Sequence, residues 1–121
     1  MFNPQLKIKR VIDRKYLDWV DMQGCVICGN QAKAHHICNT GRGSMGSKPD
    51  DHLTFALCSK HHMAWFDTGI HNNVSKWENE HELQTTYVQE TLINAFQDGH
   101  INDEDFDIAY AQCLDLAERF R

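Results

Sequence analysis

The chain has 121 residues, 41% apolar and 24% charged, which fits one globular domain, taken as 1–121, with one modest core. No apolar run approaches the ~20 residues a membrane-spanning helix needs, and the N-terminus lacks the charged-then-apolar layout of a signal peptide. A cytoplasmic protein with no membrane partner is expected. The net charge of −5 weighs against a simple nucleic-acid binder, but residues 97–121 hold seven acidic and two basic side chains and account for the whole excess.

In chain order, positions 12, 16, 19 and 20 fit a helical stripe within residues 5–23. A C-x-x-C turn follows in "QGCVICGN" (23–30), then a short strand in "AKAHHICN" (32–39). "TGRGSMGSKPDD" (40–51) reads as a loop, and "HLTFALC" (52–58) as a second strand. The next helix is predicted from Ser59 to a stop at Gly69. Residues 74–96 read as mostly helical, with Ser75 as N-cap and Glu78 three residues on. A last helix, 102–120, opens on Asn102 with acidic residues in its first turn. Trp65, Trp77, Tyr87, Phe96 and the stripe Phe106, Ala109, Tyr110, Cys113, Leu114, Ala117 are assigned to the core. The expected class is α+β: a ββα core over 23–72 with flanking helices, those of the C-terminal part filling 74–121.

Five cysteines in a cytoplasmic chain point to metal rather than to crosslinks. Cys25 and Cys28 have knuckle spacing, and Cys58 and His61 supply a matching pair thirty residues on. Two such pairs complete the tetrahedral shell of a structural Zn²⁺. Cys38 and Cys113 have no partners at useful spacing and are assigned to packing.

Six of the eight histidines lie between His35 and His71. Neighbouring side chains on a helix diverge by about 100°, so giving His61 to zinc leaves His62 for another task. His35 and His36 are its candidate partners. On a strand they face opposite ways, so one can hold a metal while the other works as a base. One-metal hydrolysis of a phosphodiester needs that pair of roles.

The combination "AHHI" (34–37), "HL" (52–53) and "LCSKHH" (57–62) resembles the HNH, or ββα-metal, nucleases. It is similar to the small phage-encoded members, including the RecA-dependent nucleases of the recombination-enhancement type. Those share an H-H-I strand, a G-x-G-x-M loop, a His-containing "LT…LC" strand, an H-H pair and a G-[IF]-H. These read here as His35-His36-Ile37, Gly41 to Met45, His52 to Cys58, His61-His62 and Gly69-Ile70-His71. The likeness covers residues 23–95.

The resemblance implies a DNA endonuclease with His36 as general base. His52 stands where the family usually has an Asn that orients the base. His35 and His62, with His71 as third ligand, would bind a catalytic divalent metal, Mg²⁺ or Mn²⁺, with Zn²⁺ and Ni²⁺ as alternatives. Some members carry a further His four residues after the position of His62; this chain has Phe66 there. Arg42 and Lys48 are the expected DNA contacts, with Lys33 and Lys60 behind them. A RecA-like filament or another protein that delivers the substrate is the expected partner, and the host cytoplasm the expected location. The competing readings are a decayed zinc module that binds DNA or protein, and an acidic C-terminal helix that docks on a basic partner.

Overall fold

A computed structural model describes residues 10–38 and 50–119. The expected DNA contacts Arg42 and Lys48, and most of the glycine loop, lie outside these residues. Among the described residues the order is α1 (Arg14–Asp21), β1 (Lys33–His36), β2 (Thr54–Leu57), α2 (Ser59–His62), α3 (Val74–Glu80), α4 (Gln84–Gln97) and α5 (Asp103–Arg119). The class is α+β, with one two-stranded sheet. β1 and β2 are antiparallel, pairing Lys33 with Leu57, Ala34 with Ala56, His35 with Phe55 and His36 with Thr54.

All four residues of β2 are buried. A two-stranded sheet achieves this only when covered on both faces, and α1 and α4 both pack on β2. Phe55 meets Tyr87 of α4 at 5.4 Å and Trp77 of α3 at 6.1 Å between ring centroids. α5 lies along α4 and buries Ala109, Cys113 and Leu116, spaced i, i+4, i+7. That helix therefore supplies core, although its first turn is acidic.

α1 starts two residues later than the predicted stripe. Asp13 is its N-cap, accepting from the Tyr16 N–H at 3.1 Å, and Ile12 lies outside the helix, exposed. Asp13 also bonds the buried His52 Nε2 at 2.9 Å. Replacing Asp13 with alanine removes a cap and strands a buried imidazole together. The expected cost is ~2–3 kcal/mol in urea unfolding, against a near-neutral Asp13→Asn.

Other expectations need correcting. The helix predicted over 59–69 lasts one turn, because Met63 turns extended (ψ 145°) and the chain folds back on itself. The Ile70 N–H bonds the His61 carbonyl at 2.9 Å and the His71 N–H the His62 carbonyl at 3.1 Å. Gly69 does not cap a helix; it passes so close to Met63 that a Cβ would collide with that carbonyl. Trp65, placed in the core by sequence, is 75% exposed on this return loop. Phe96 is partly exposed against Phe106, and Leu116 rather than Leu114 faces the core of α5.

The helix predicted over 74–96 is two helices. Asn73, not Ser75, caps the first, and Glu78 accepts the Gln84 N–H at 2.9 Å to start the second.

Candidate metal centre and active site

The C-x-x-C turn is built by two glycines with positive φ, Gly24 (84°) and Gly29 (77°), where a side chain would be strained. The Gly29 N–H bonds the Cys25 carbonyl at 2.8 Å, and the Ile27 N–H points at Cys25 Sγ from 3.4 Å. Cys58 directly follows β2 as the N-cap of α2 and His61 lies in α2, so the hairpin brings the second pair to the turn. Cys58 Sγ is 3.2 Å from His61 Nδ1, Cys28 Sγ 3.6 Å from Cys58 Sγ, and Cys25 Sγ 3.8 Å from His61 Nδ1. The four side chains could hold a metal ion.

His62, the next residue, turns the other way. Its ring lies 5.0 Å from His35 and 4.8 Å from His71, and His35 lies 5.2 Å from His71. One nitrogen from each of the three falls within 4.8 Å of the others, a second group able to hold a metal. The sequence raises His71 as a ligand only through the G-I-H match; the fold-back of the loop onto α2 is what delivers it. Gly69→Ala tests this delivery. Pushing Met63 away displaces His71, so a second bound metal is expected to weaken at least ~10-fold, read by titration calorimetry, with the Cys25 cage still loaded.

His35 is the buried member. Burial pushes its imidazole down to about 3; the Gln84 hydrogen bond acts the other way, and His62 and His71 add to the lowering. Burial also lowers His62, with His71 beside it, and lowers His61, with His81 and Lys60 nearby. Neutral imidazoles keep a lone pair for a metal near pH 7. Cys38 sits close to His35 Nε2 at 3.9 Å, but burial raises its thiol to about 11, so it stays protonated.

His36 points away from this cluster, as alternation along β1 requires. Its Nε2 bonds Asp51 Oδ1 at 2.9 Å. Asp51 is 1% exposed and also takes Arg10 at 2.6 Å and the Asp13 N–H at 2.8 Å. Burial pulls its carboxyl upward, but the His36 bond, the Asp13 N–H and Arg10 outweigh it and hold it below the ordinary range. An ionised Asp51 can only accept. His36 Nε2 is therefore the donor of this bond, and the neutral ring so held has its lone pair on Nδ1.

A cavity of about 510 Å³ opens here, lined by Arg10, Arg14, Asp21, Lys33, His36 and Asp51 among others. A smaller one of about 260 Å³ is lined by Lys33, Ser59, His62 and Met63 among others. Lys33 borders both.

Among the described residues His52 is bonded to Asp13 rather than to His36. It is buried, edge-on to Tyr16 at 4.9 Å, and secures α1 through that bond. The residue on His36 is the neighbour of His52, Asp51, which the sequence places only at the end of the loop 40–51. Arg10, Arg14 and Gln84 were likewise missed.

Fold and side chains together define a small α+β domain with, among the described residues, two groups that could hold a metal. Residues 1–99 match the family described as protein of unknown function (DUF968), and the chain belongs to that family. It is also similar to the "Uncharacterized protein YdfU" of Escherichia coli (strain K12), 42% identical over 57 residues, which is 46% of this chain and 16% of that protein. The chain thus matches only a small part of that relative's length. No solved structure matches. Among the described residues, no helix is long and apolar enough to cross a membrane.

Proposed function

We propose that the chain is a metal-dependent DNA endonuclease of the ββα-metal type, with a structural Zn²⁺ in the cysteine cage. The observation that carries this reading is the division of labour between adjacent histidines. His61 joins the cage, His62 joins His35 and His71, and His36 stands apart from both groups, against the Asp51 carboxylate.

The cage fits zinc. Tetrahedral Zn–S and Zn–N bonds put sulfurs ~3.8 Å apart and sulfur and nitrogen ~3.5 Å apart, and three of the separations in the group run from 3.2 to 3.8 Å. Three imidazoles suit a transition metal better than Mg²⁺, which prefers oxygen ligands. When bound there, the second metal supplies a Lewis acid for the charge that develops on a phosphodiester.

The protein side chains do the rest. His36 Nδ1 accepts a proton from water, and Asp51 holds the ring in the right tautomer and stabilises the imidazolium that forms. Lys33, Arg10 and Arg14 attract the phosphate backbone. Their attraction is moderated by Asp21, which lies 3.7 Å from Lys33 and 3.8 Å from Arg14, and by Asp18 at 2.6 Å from Arg14. With a net charge of −5, modest intrinsic affinity follows, and a protein that delivers the DNA, such as a recombinase filament, fits this balance.

The test is nicking of supercoiled plasmid with Mg²⁺, Mn²⁺ or Ni²⁺, with and without a recombinase filament, comparing wild type with His62→Ala. Metal-dependent nicking that the substitution abolishes is the expected result. A folded, zinc-loaded wild type that is inert under every condition overturns the reading and leaves a zinc module that binds without cutting.

A further inference from the structure

Gln84 is the first residue of α4 and is 1% exposed. A buried glutamine amide must satisfy a carbonyl oxygen and an NH₂ group, and which end is which decides what it can bond. Here both ends are fixed by one distant residue. Gln84 Oε1 accepts the Cys38 N–H at 3.1 Å, and Gln84 Nε2 donates to the Cys38 carbonyl at 2.7 Å. A flipped amide would set donor against donor and acceptor against acceptor.

With the amide so fixed, it is the oxygen that faces His35 Nε2, at 3.0 Å. Two lone pairs at that distance repel, so the proton between them belongs to His35. The lone pair of the neutral ring then lies on Nδ1.

We propose that Gln84 is the positioning residue of the His35–His62–His71 group: it holds His35 as the Nε2–H tautomer, so that Nδ1 is the nitrogen offered to a metal. The inference rests on the reading of that group as a metal site. It parallels His36, whose Nε2 is held by Asp51. Each of two neighbouring histidines on β1 thus has its outer nitrogen held by an acceptor from far along the chain, one for binding and one for base chemistry. Acceptors of this kind raise ligand basicity and remove the cost of choosing a tautomer on binding.

The experiment uses the full chain with zinc in its cysteine cage. ¹⁵N-resolved NMR of the ring reports which nitrogen of His35 carries the proton, and Ni²⁺ titration reports affinity and stoichiometry at the second site. Wild type is expected to show Nε2–H. Gln84→Met, similar in length but without an acceptor, is expected to lose the single tautomer and to weaken Ni²⁺ by ~10–100-fold. Gln84→Glu keeps the acceptor for His35 and, as the neutral acid with its second oxygen donating to the Cys38 carbonyl, is expected to restore the tautomer and most of the affinity. A purely structural glutamine would lower thermal stability in both variants and leave the ring signals alone; that result overturns the proposal. Nδ1–H in wild type overturns it too, and does so even if Gln84→Met does not fold. Should wild type take up no second ion, the metal reading itself fails. That failure appears in the stoichiometry, separately from the ring signals.

Discussion

Replacing Cys58 with serine is expected to unfold the protein or to lower its thermal midpoint by ~15 °C or more. The reason is connectivity. The proposed zinc would join the C-x-x-C turn after α1 to the Cys58–His61 segment that opens α2, two segments 30 residues or more apart in the chain. Cys58 is buried and lies 3.2 Å from His61 Nδ1 and 3.6 Å from Cys28 Sγ, so its replacement removes one of the four donors from the middle of the group. Anything that binds the native state alone stabilises it by mass action, and structural zinc is worth ~10–16 kcal/mol even in small peptides. A domain of ordinary stability, ~5–15 kcal/mol, cannot lose a large part of that unchanged. The measurement is a circular-dichroism melt of wild type, Cys58→Ser and chelator-treated wild type, with metal content by mass spectrometry. His62→Ala serves as the control, expected to melt within a few degrees of wild type. Wild type that carries no zinc and melts with the serine variant would sink the structural-metal assignment.

What could be read from sequence was whatever is local. Cys25 and Cys28 are three apart, as are Cys58 and His61, and one turn or one helical turn is enough to converge each pair. β1 and β2 announced themselves by composition around a glycine loop. That His61 and His62 point to different groups follows from helical geometry. What could not be read was set by partners far along the chain. Asp51 stands at the end of a predicted loop, yet its partners Arg10 and Asp13 are 41 and 38 residues away. Gln84 sat inside a predicted helix with nothing to mark it, because Cys38 and His35 lie 46 and 49 residues before it. The one-turn length of α2 has the same origin. The local sequence permits a longer helix, but Ile70 and His71 take the carbonyls of His61 and His62 when the loop returns. That return converts a sequence-level hint about His71 into a third imidazole beside His35 and His62.

Under the proposed nuclease reading, His36→Ala is expected to cut the rate of DNA cleavage by ~10²–10⁴-fold, the usual worth of a positioned general base. Both metal groups should survive the change, because His36 projects from the opposite face of β1 to His35 and belongs to neither. Asp51→Asn should also reduce cleavage, by ~10-fold or more, since an amide can present its N–H to Nε2 and hold the wrong tautomer. The two variants separate on stability. Asp51 is buried and joins Arg10, the Asp13 N–H and His36, so its loss also loosens the start of α1, whereas His36→Ala removes one half-buried ring. The pH dependence follows from the carboxyl's depressed position. A group lowered on folding contributes stability that is fully present above its unfolded value, near 4, and is lost as pH falls through the lower folded value. Wild type should therefore lose stability below about pH 4 more steeply than Asp51→Asn, measured by urea unfolding across that range. Equal acid sensitivity of the two proteins would show that Asp51 is not ionised in the fold. His36 would then have no fixed acceptor to set its tautomer, whatever the cleavage assay gave.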